Sequence, residues 1–188
     1  MKRRALLGTT AAMGLGGPAR AATPGEVLPG QMLRDARMQG VNGPSRSLLS
    51  YRGRPLIINV WASWCGPCRA EMPSLERLAW SEMGSRFAVI GISTDDRIDA
   101  ALSWLRQSNA TLNHYLDRAL ELENMLGASH LPLTVLVDAQ GRLLDKVAGA
   151  KEWDGAEAGR LIARTFGLRD RPPAGRAAAT RSGNAATR

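Results

Sequence analysis

The chain has 188 residues, 44% hydrophobic and 22% charged. That balance excludes a wholly disordered or collagen-like polymer and suits one globular domain with extensions. The formal charge of +8 sits at the two ends, because residues 22–168 hold 16 basic and 16 acidic side chains. No folded basic surface is required, and no nucleic-acid partner is expected.

The first 21 residues read as an export signal. Lys2-Arg3-Arg4 is a positive start, Ala5 to Gly17 is apolar, and Ala19-Arg20-Ala21 is a small-residue cleavage site, so cleavage is expected before Ala22. The apolar stretch is short and diluted by Gly8, Gly14, Gly16 and Gly17, too weak for a comfortable membrane span. Arg3-Arg4-Ala5-Leu6-Leu7 resembles a twin-arginine signal; a general secretory signal is the other reading. Either way the mature protein is expected outside the cytoplasm, in a periplasm, without an anchor.

Residues 22–45 are rich in Gly and Pro and predict an irregular lead-in with one short strand around Met32 to Met38. Arg54 to Val60 is apolar and β-branched, suited to a central strand. Gly66 to about Ser81 follows as a helix with Ala70, Met72, Leu75, Leu78 and Ala79 inward and a kink at Pro73. Phe87 to Ser93 predicts a second buried strand, and Asp95 to Ser108 a helix with Ile98, Ala101, Leu102 and Leu105 on one face. His114 to Leu116 predicts a short strand, and Ala119 to Leu126 a short helix stopped by Gly127. Leu133 to Asp138 and Leu143 to Val147 form a hairpin about a turn at Ala139 to Arg142, and Trp153 to Phe166 is the last helix. From Leu168 on, Pro, Ala, Arg and Ser dominate, and a solvated basic tail is expected over 168–188. This order implies an α/β three-layer sandwich on a single mixed sheet over residues 22–167.

The chemistry concentrates in Trp64-Cys65-Gly66-Pro67-Cys68, which contains both cysteines of the chain. The pair lies where a buried strand passes into a helix. A helix N-terminus offers unpaired N–H groups and partial positive charge, both of which stabilise a thiolate. Cys65 is read as the exposed nucleophile. Cys68, one turn on, is placed to attack a mixed disulfide formed at Cys65, so the two can pass a disulfide by exchange. A purely structural disulfide is another reading, although so short a loop restrains the unfolded chain little. A zinc site needs four ligands, and only His114 and His130 could join the cysteines. Both histidines read as structural or surface residues. Cu(I) held by two thiolates is a third reading.

At these residues the chain resembles a known family. Asn59-Val-Trp-Ala-Ser-Trp-Cys-Gly-Pro-Cys-Arg-Ala-Glu-Met-Pro is similar to the exported thioredoxin-fold reductases of the TlpA/ResA type. The likeness continues through Gly91-Ile-Ser and His130-Leu-Pro-Leu-Thr-Val-Leu-Val-Asp, and it covers residues 27 to about 167. The resemblance implies a central sheet flanked by helices, with residues 95–128 as an insertion ahead of the cis-proline strand. It implies that Cys65 attacks, Cys68 resolves, and Glu71 is a partly buried acid acting on cysteine ionisation. The alternative for Glu71 is an exposed first-turn residue favoured by the helix dipole. Ordinary thioredoxins carry Asp six residues before the first cysteine; Asn59 stands here and cannot relay protons.

Pro132 matches the cis-proline beside the thiols, which leaves the Leu131 backbone to pair with an incoming peptide. Trp64, Gly66 and Pro67 complete the expected contact surface, and Trp61 is assigned to the core. The implied activity is thiol:disulfide exchange, chiefly as a reductant, with no soluble cofactor. The implied substrates are apocytochrome c cysteines or the copper-site cysteines of an oxidase-assembly protein. The implied electron donor is a membrane thiol transporter of the DsbD/CcdA type, and the protein is expected to be a monomer. A Cu(I) metallochaperone-like module and a thiol peroxidase on the same fold are the competing functions.

Overall fold

The structure, a computed structural model, describes residues 23–168. The expected export signal and all but the first residue of the expected basic tail lie outside them.

Seven strands form one mixed sheet in the order β2-β1-β5-β4-β3-β6-β7. The central strand β3 (Leu56–Trp61) is buried at every position. It runs parallel to β4 (Ala88–Ser93), with Leu56 beside Ala88 and Trp61 beside Ser93, and antiparallel to β6 (Leu133–Val137). β5 (Asn113–Leu116) lies parallel to β4, and β7 (Leu143–Ala148) closes a hairpin on β6. β1 (Arg37–Gly40) and β2 (Arg46–Ser47) cap the far edge.

Side-chain alternation along β3 builds two cores. Ile57 and Trp61 face α1 (Gly66–Trp80), α2 (Ile98–Gln107) and α4 (Ala156–Thr165), packing with Met72, Leu75, Leu105 and Ile162. Leu56, Ile58 and Val60 face α3 (Glu121–Leu126) and the lead-in, packing with Val27, Leu33, Leu122 and Met125. The fold is thioredoxin-like: a seven-stranded mixed sheet between helical layers. Residues 95–128 do more than decorate it, since they supply β5 as an interior strand.

Several boundaries differ from the sequence-based expectation. The lead-in strand begins at Arg37, and Met32 makes only an isolated bridge to Arg142. Leu33 and Ala36 are buried by irregular chain laid over the second core, and apolar spacing cannot tell such burial from strand pairing. The lead-in is fastened by a 2.6 Å ion pair between Glu26 and Lys146 and by the Val27 N–H donating to the Met125 carbonyl. Gly127 ends α3 at φ 71°, and a Cβ there would fall 2.2 Å from a Glu26 carboxylate oxygen. α4 starts at Ala156 because Trp153 is core in the preceding turn. α1 continues through Pro73, which faces solvent. Ala70, expected inward, is exposed, and the buried stripe of α1 carries Cys68, Glu71 and Ser74 among its apolar members.

Candidate active site

β3 delivers the chain to the start of α1 through a tight turn in which the Cys65 N–H donates to the Ala62 carbonyl at 3.1 Å. Cys65 is the N-cap of α1, and Pro67 occupies its first turn, where a missing N–H costs nothing. The two cysteines form a disulfide, with S–S 2.02 Å and Cα–Cα 5.3 Å. The Cys68 N–H donates to the Cys65 sulfur at 3.2 Å. A thiolate at Cys65 would inherit that donor and the positive end of the helix. Cys65 is 6% exposed and Cys68 0%, so the attacking sulfur is the more accessible one, yet far more covered than the sequence alone suggests.

An open groove of about 640 Å³ runs past Cys65. Trp64, 72% exposed, lines it together with Gly66, Pro67, Leu120 and Leu131. Leu120 holds a left-handed backbone at φ 55°, uncommon for a branched residue. The Leu131–Pro132 peptide bond is cis. β6 begins only at Leu133, so Leu131 takes no part in its ladder and meets the groove. His130 is exposed on the groove rim, with Nδ1 3.2 Å from the Ser129 hydroxyl. His114 is in the core instead, edge-on to Trp61 at 5.3 Å between centroids, with both ring nitrogens unpartnered. Burial drives its pKa down to about 3, so it is neutral.

Glu71 lies beneath this surface and is 2% exposed, which removes the reading of a solvated first-turn residue. One carboxylate oxygen accepts from Asn59 Nδ2 at 2.8 Å. The other accepts from the Lys151 N–H and from Trp153 Nε1, each at 3.0 Å. Burial pushes the Glu71 pKa above the ordinary 4.5, opposed by the bonds from Trp153, Lys151 and Asn59. Asn59 also donates to the Thr134 hydroxyl, its neighbour across the β3–β6 ladder, while its own Oδ1 is buried without a partner. The carboxyl therefore sits a turn beyond Cys68, in a buried site where Asn59, the Lys151 N–H and Trp153, all neutral groups, donate to it.

Two parts of this arrangement escape sequence inspection. Lys151 and Trp153 lie 80 and more residues from Glu71 and show no motif. Asp95, 3% exposed, grips Ser63 and Ser93 directly behind the cysteine turn, although the sequence pattern assigns it to the start of a helix. Among the described residues, no group of three or more His, Cys, Asp or Glu is placed to hold a metal ion, and no helix is long and apolar enough to cross a membrane.

Residues 29–146 match the model of the AhpC/TSA family. The thiol:disulfide interchange protein DsbE of Pseudomonas aeruginosa is 37% identical over 120 residues, 60% of this chain and 62% of that protein. The thiol-disulfide oxidoreductase ResA of Bacillus thuringiensis is 24% identical over 109 residues, 58% of this chain and 63% of that protein. The match thus spans less than two thirds of these relatives. Among solved structures, a candidate DsbE of Chlorobium tepidum superposes with TM-score 0.68 at 23% identity, over 74% of this chain and 99% of the other. A candidate thiol-disulfide oxidoreductase of Bacteroides vulgatus gives TM-score 0.64 at 28% identity, over 74% and 98%.

Proposed function

Given that the chain belongs to the AhpC/TSA family, we propose that it is a thiol:disulfide oxidoreductase of the DsbE/ResA kind, working through Cys65 and Cys68. The observation that carries this reading is the helix-capping disulfide, whose outer sulfur accepts the Cys68 N–H and faces the same groove as Leu131. The relatives named for thiol:disulfide interchange support it.

In the reducing direction the Cys65 thiolate attacks one sulfur of a substrate disulfide. A Cys65–substrate disulfide forms, and the other substrate sulfur leaves as a thiolate that takes up a proton. Cys68 then loses its proton and attacks the Cys65 sulfur. The Cys65–Cys68 disulfide forms and the second substrate thiol is released. Two electrons and two protons pass to the substrate, and no cofactor is needed because the electrons reside on the sulfurs. Glu71 is the acceptor for the Cys68 proton: a buried carboxyl with raised pKa is matched to that transfer better than a solvated one.

The substrates we propose are exported proteins with paired cysteines, apocytochrome c or copper-oxidase assembly proteins. The reducing equivalents come from a membrane thiol transporter of the DsbD/CcdA type. The protein acts as a monomer in the periplasm after cleavage of its signal. A secreted Mycobacterium tuberculosis disulfide oxidoreductase of the same fold, 22% identical with TM-score 0.57, is consistent with an exported setting. Cys68→Ser expressed in the native periplasm tests the assignment, since it leaves Cys65 to attack but nothing to resolve. Recovery of a cytochrome or copper-assembly protein bonded to Cys65 is expected; capture of neither class would overturn the substrate assignment.

A further inference from the structure

A second buried acid stands behind the cysteine turn. Asp95 follows β4 and points back under the segment between β3 and α1. Its Oδ1 accepts from the Ser63 hydroxyl at 2.6 Å, and its Oδ2 from the Ser63 N–H at 3.0 Å and the Ser93 hydroxyl at 2.7 Å. Its own N–H donates to the Ser93 oxygen at 3.2 Å. Ser63 lies inside the turn closed by the Cys65 N–H on the Ala62 carbonyl. Among the described residues, no Lys, Arg or His forms an ion pair with Asp95.

We infer that Asp95 is a positioning residue for the thiol exchange: its carboxylate clamps the turn that carries Cys65 and opposes negative charge on that sulfur. The inference rests on the dithiol reading above. The clamp uses three donors from two serines, so the turn geometry and the carboxylate are held together. Hydroxyl and amide donors satisfy the carboxylate without neutralising it, and Asp95 itself is 3% exposed, so its field acts on the turn that carries Cys65 from the buried side. A thiolate beside a fixed negative charge is disfavoured, and the reduced form is disfavoured with it. Asp95 thereby makes the pair a stronger reductant. The helix N-terminus and the Cys68 N–H pull the other way. The other titratable groups facing Cys65 are Asp96, Glu123 and His130 on the groove, with Glu71 a turn beyond Cys68. All of these are retained in Asp95→Asn and in Ser63→Ala.

The test compares Asp95→Asn and Ser63→Ala in the full chain. Thiolate absorbance and the alkylation rate of Cys65 are read against pH, and the equilibrium with dithiothreitol gives the redox constant. Asp95→Asn removes the charge and keeps the shape. It is expected to lower the Cys65 pKa by about one and to shift the redox equilibrium toward the dithiol, by a factor that rises with pH to about tenfold once pH exceeds both pKa values. Ser63→Ala removes a donor and keeps the charge. It is expected to leave the Cys65 pKa in place or raise it. A clamp that acts by geometry alone moves both variants in one direction, and that result would overturn the electrostatic role. An unmoved Cys65 in Asp95→Asn would overturn the inference entirely. If Asp95→Asn does not fold, a lowered Cys65 pKa in Ser63→Ala would overturn it equally. Wild-type protein that exchanges no disulfide would instead sink the dithiol reading itself, so the two failures are distinct.

Discussion

The indole N–H of Trp153 donates to a Glu71 carboxylate oxygen at 3.0 Å, joining the turn before the last helix to the acid beneath the disulfide. Trp153→Phe keeps the ring and removes the donor. The Glu71 pKa should then rise further, because burial is opposed by one bond fewer. Where the carboxyl is ionised, the loss of one hydrogen bond to it is expected to cost about 1.5–3 kcal/mol. Denaturant unfolding of the wild type and Trp153→Phe across a pH series is the measurement, since the loss shrinks once Glu71 is protonated.

Glu71→Gln removes the charge and should lower the apparent thiol pKa values, whose titrations are coupled to the carboxyl. It should also flatten part of the stability profile. A carboxyl whose pKa is raised in the folded state above 4.5 contributes stability that is full below that value and is lost as pH rises through the folded pKa. The wild type should therefore decline relative to Glu71→Gln over that range. Parallel stability profiles would contradict the raised pKa.

His114 gives the opposite slope. Its pKa falls from 6.5 to about 3 on burial, so its contribution is present above 6.5 and is lost as pH falls toward 3. His114→Phe keeps an aromatic ring against Trp61 and removes two unpartnered nitrogens. The wild type should lose stability relative to this variant by up to about 1.4 kcal/mol per pH unit across that window. Urea midpoints over the same range are the measurement.

Gly91 on β4 has no room for a side chain. A Cβ there would lie 2.1 Å from His114 Nδ1 and 3.0 Å from Trp61 Nε1, and both rings are held by the core. Gly91→Ala should cost about 1–3 kcal/mol through overpacking, with a smaller loss in a His114→Ala background. Equal losses in the two backgrounds would show that the ring is not the obstacle.

The layout of strands and helices around the cysteines was legible because β3, β4 and β6 are short, mostly apolar, β-branched runs, interrupted by Asn59, Ser93 and Thr134, and because α3 and the hairpin turn on glycines. The Cys65–Cys68 pair was legible because its strand-to-helix setting has few other uses. The lead-in was not, because Leu33 and Ala36 reach the core without pairing. The surroundings of Glu71 were not either. Its partners Asn59, Lys151 and Trp153 converge through the β3–β6 ladder and the turn before α4, and only the tertiary fold brings their donors within hydrogen-bond reach of one carboxyl. Asp95 resembled an ordinary helix-opening acid, and its role emerges only when Ser63 and Ser93 are seen around it.

The central claim is that Cys65 attacks and Cys68 resolves. The direct measurement is the single-turnover reaction of reduced protein with a disulfide-bonded peptide, followed by mass for wild type, Cys65→Ser and Cys68→Ser. The account predicts complete exchange in the wild type, no reaction in Cys65→Ser, and a persistent one-to-one adduct at Cys65 in Cys68→Ser. Reduction of the peptide by Cys65→Ser, or a wild-type dithiol that consumes peroxide and leaves the disulfide intact, would contradict it.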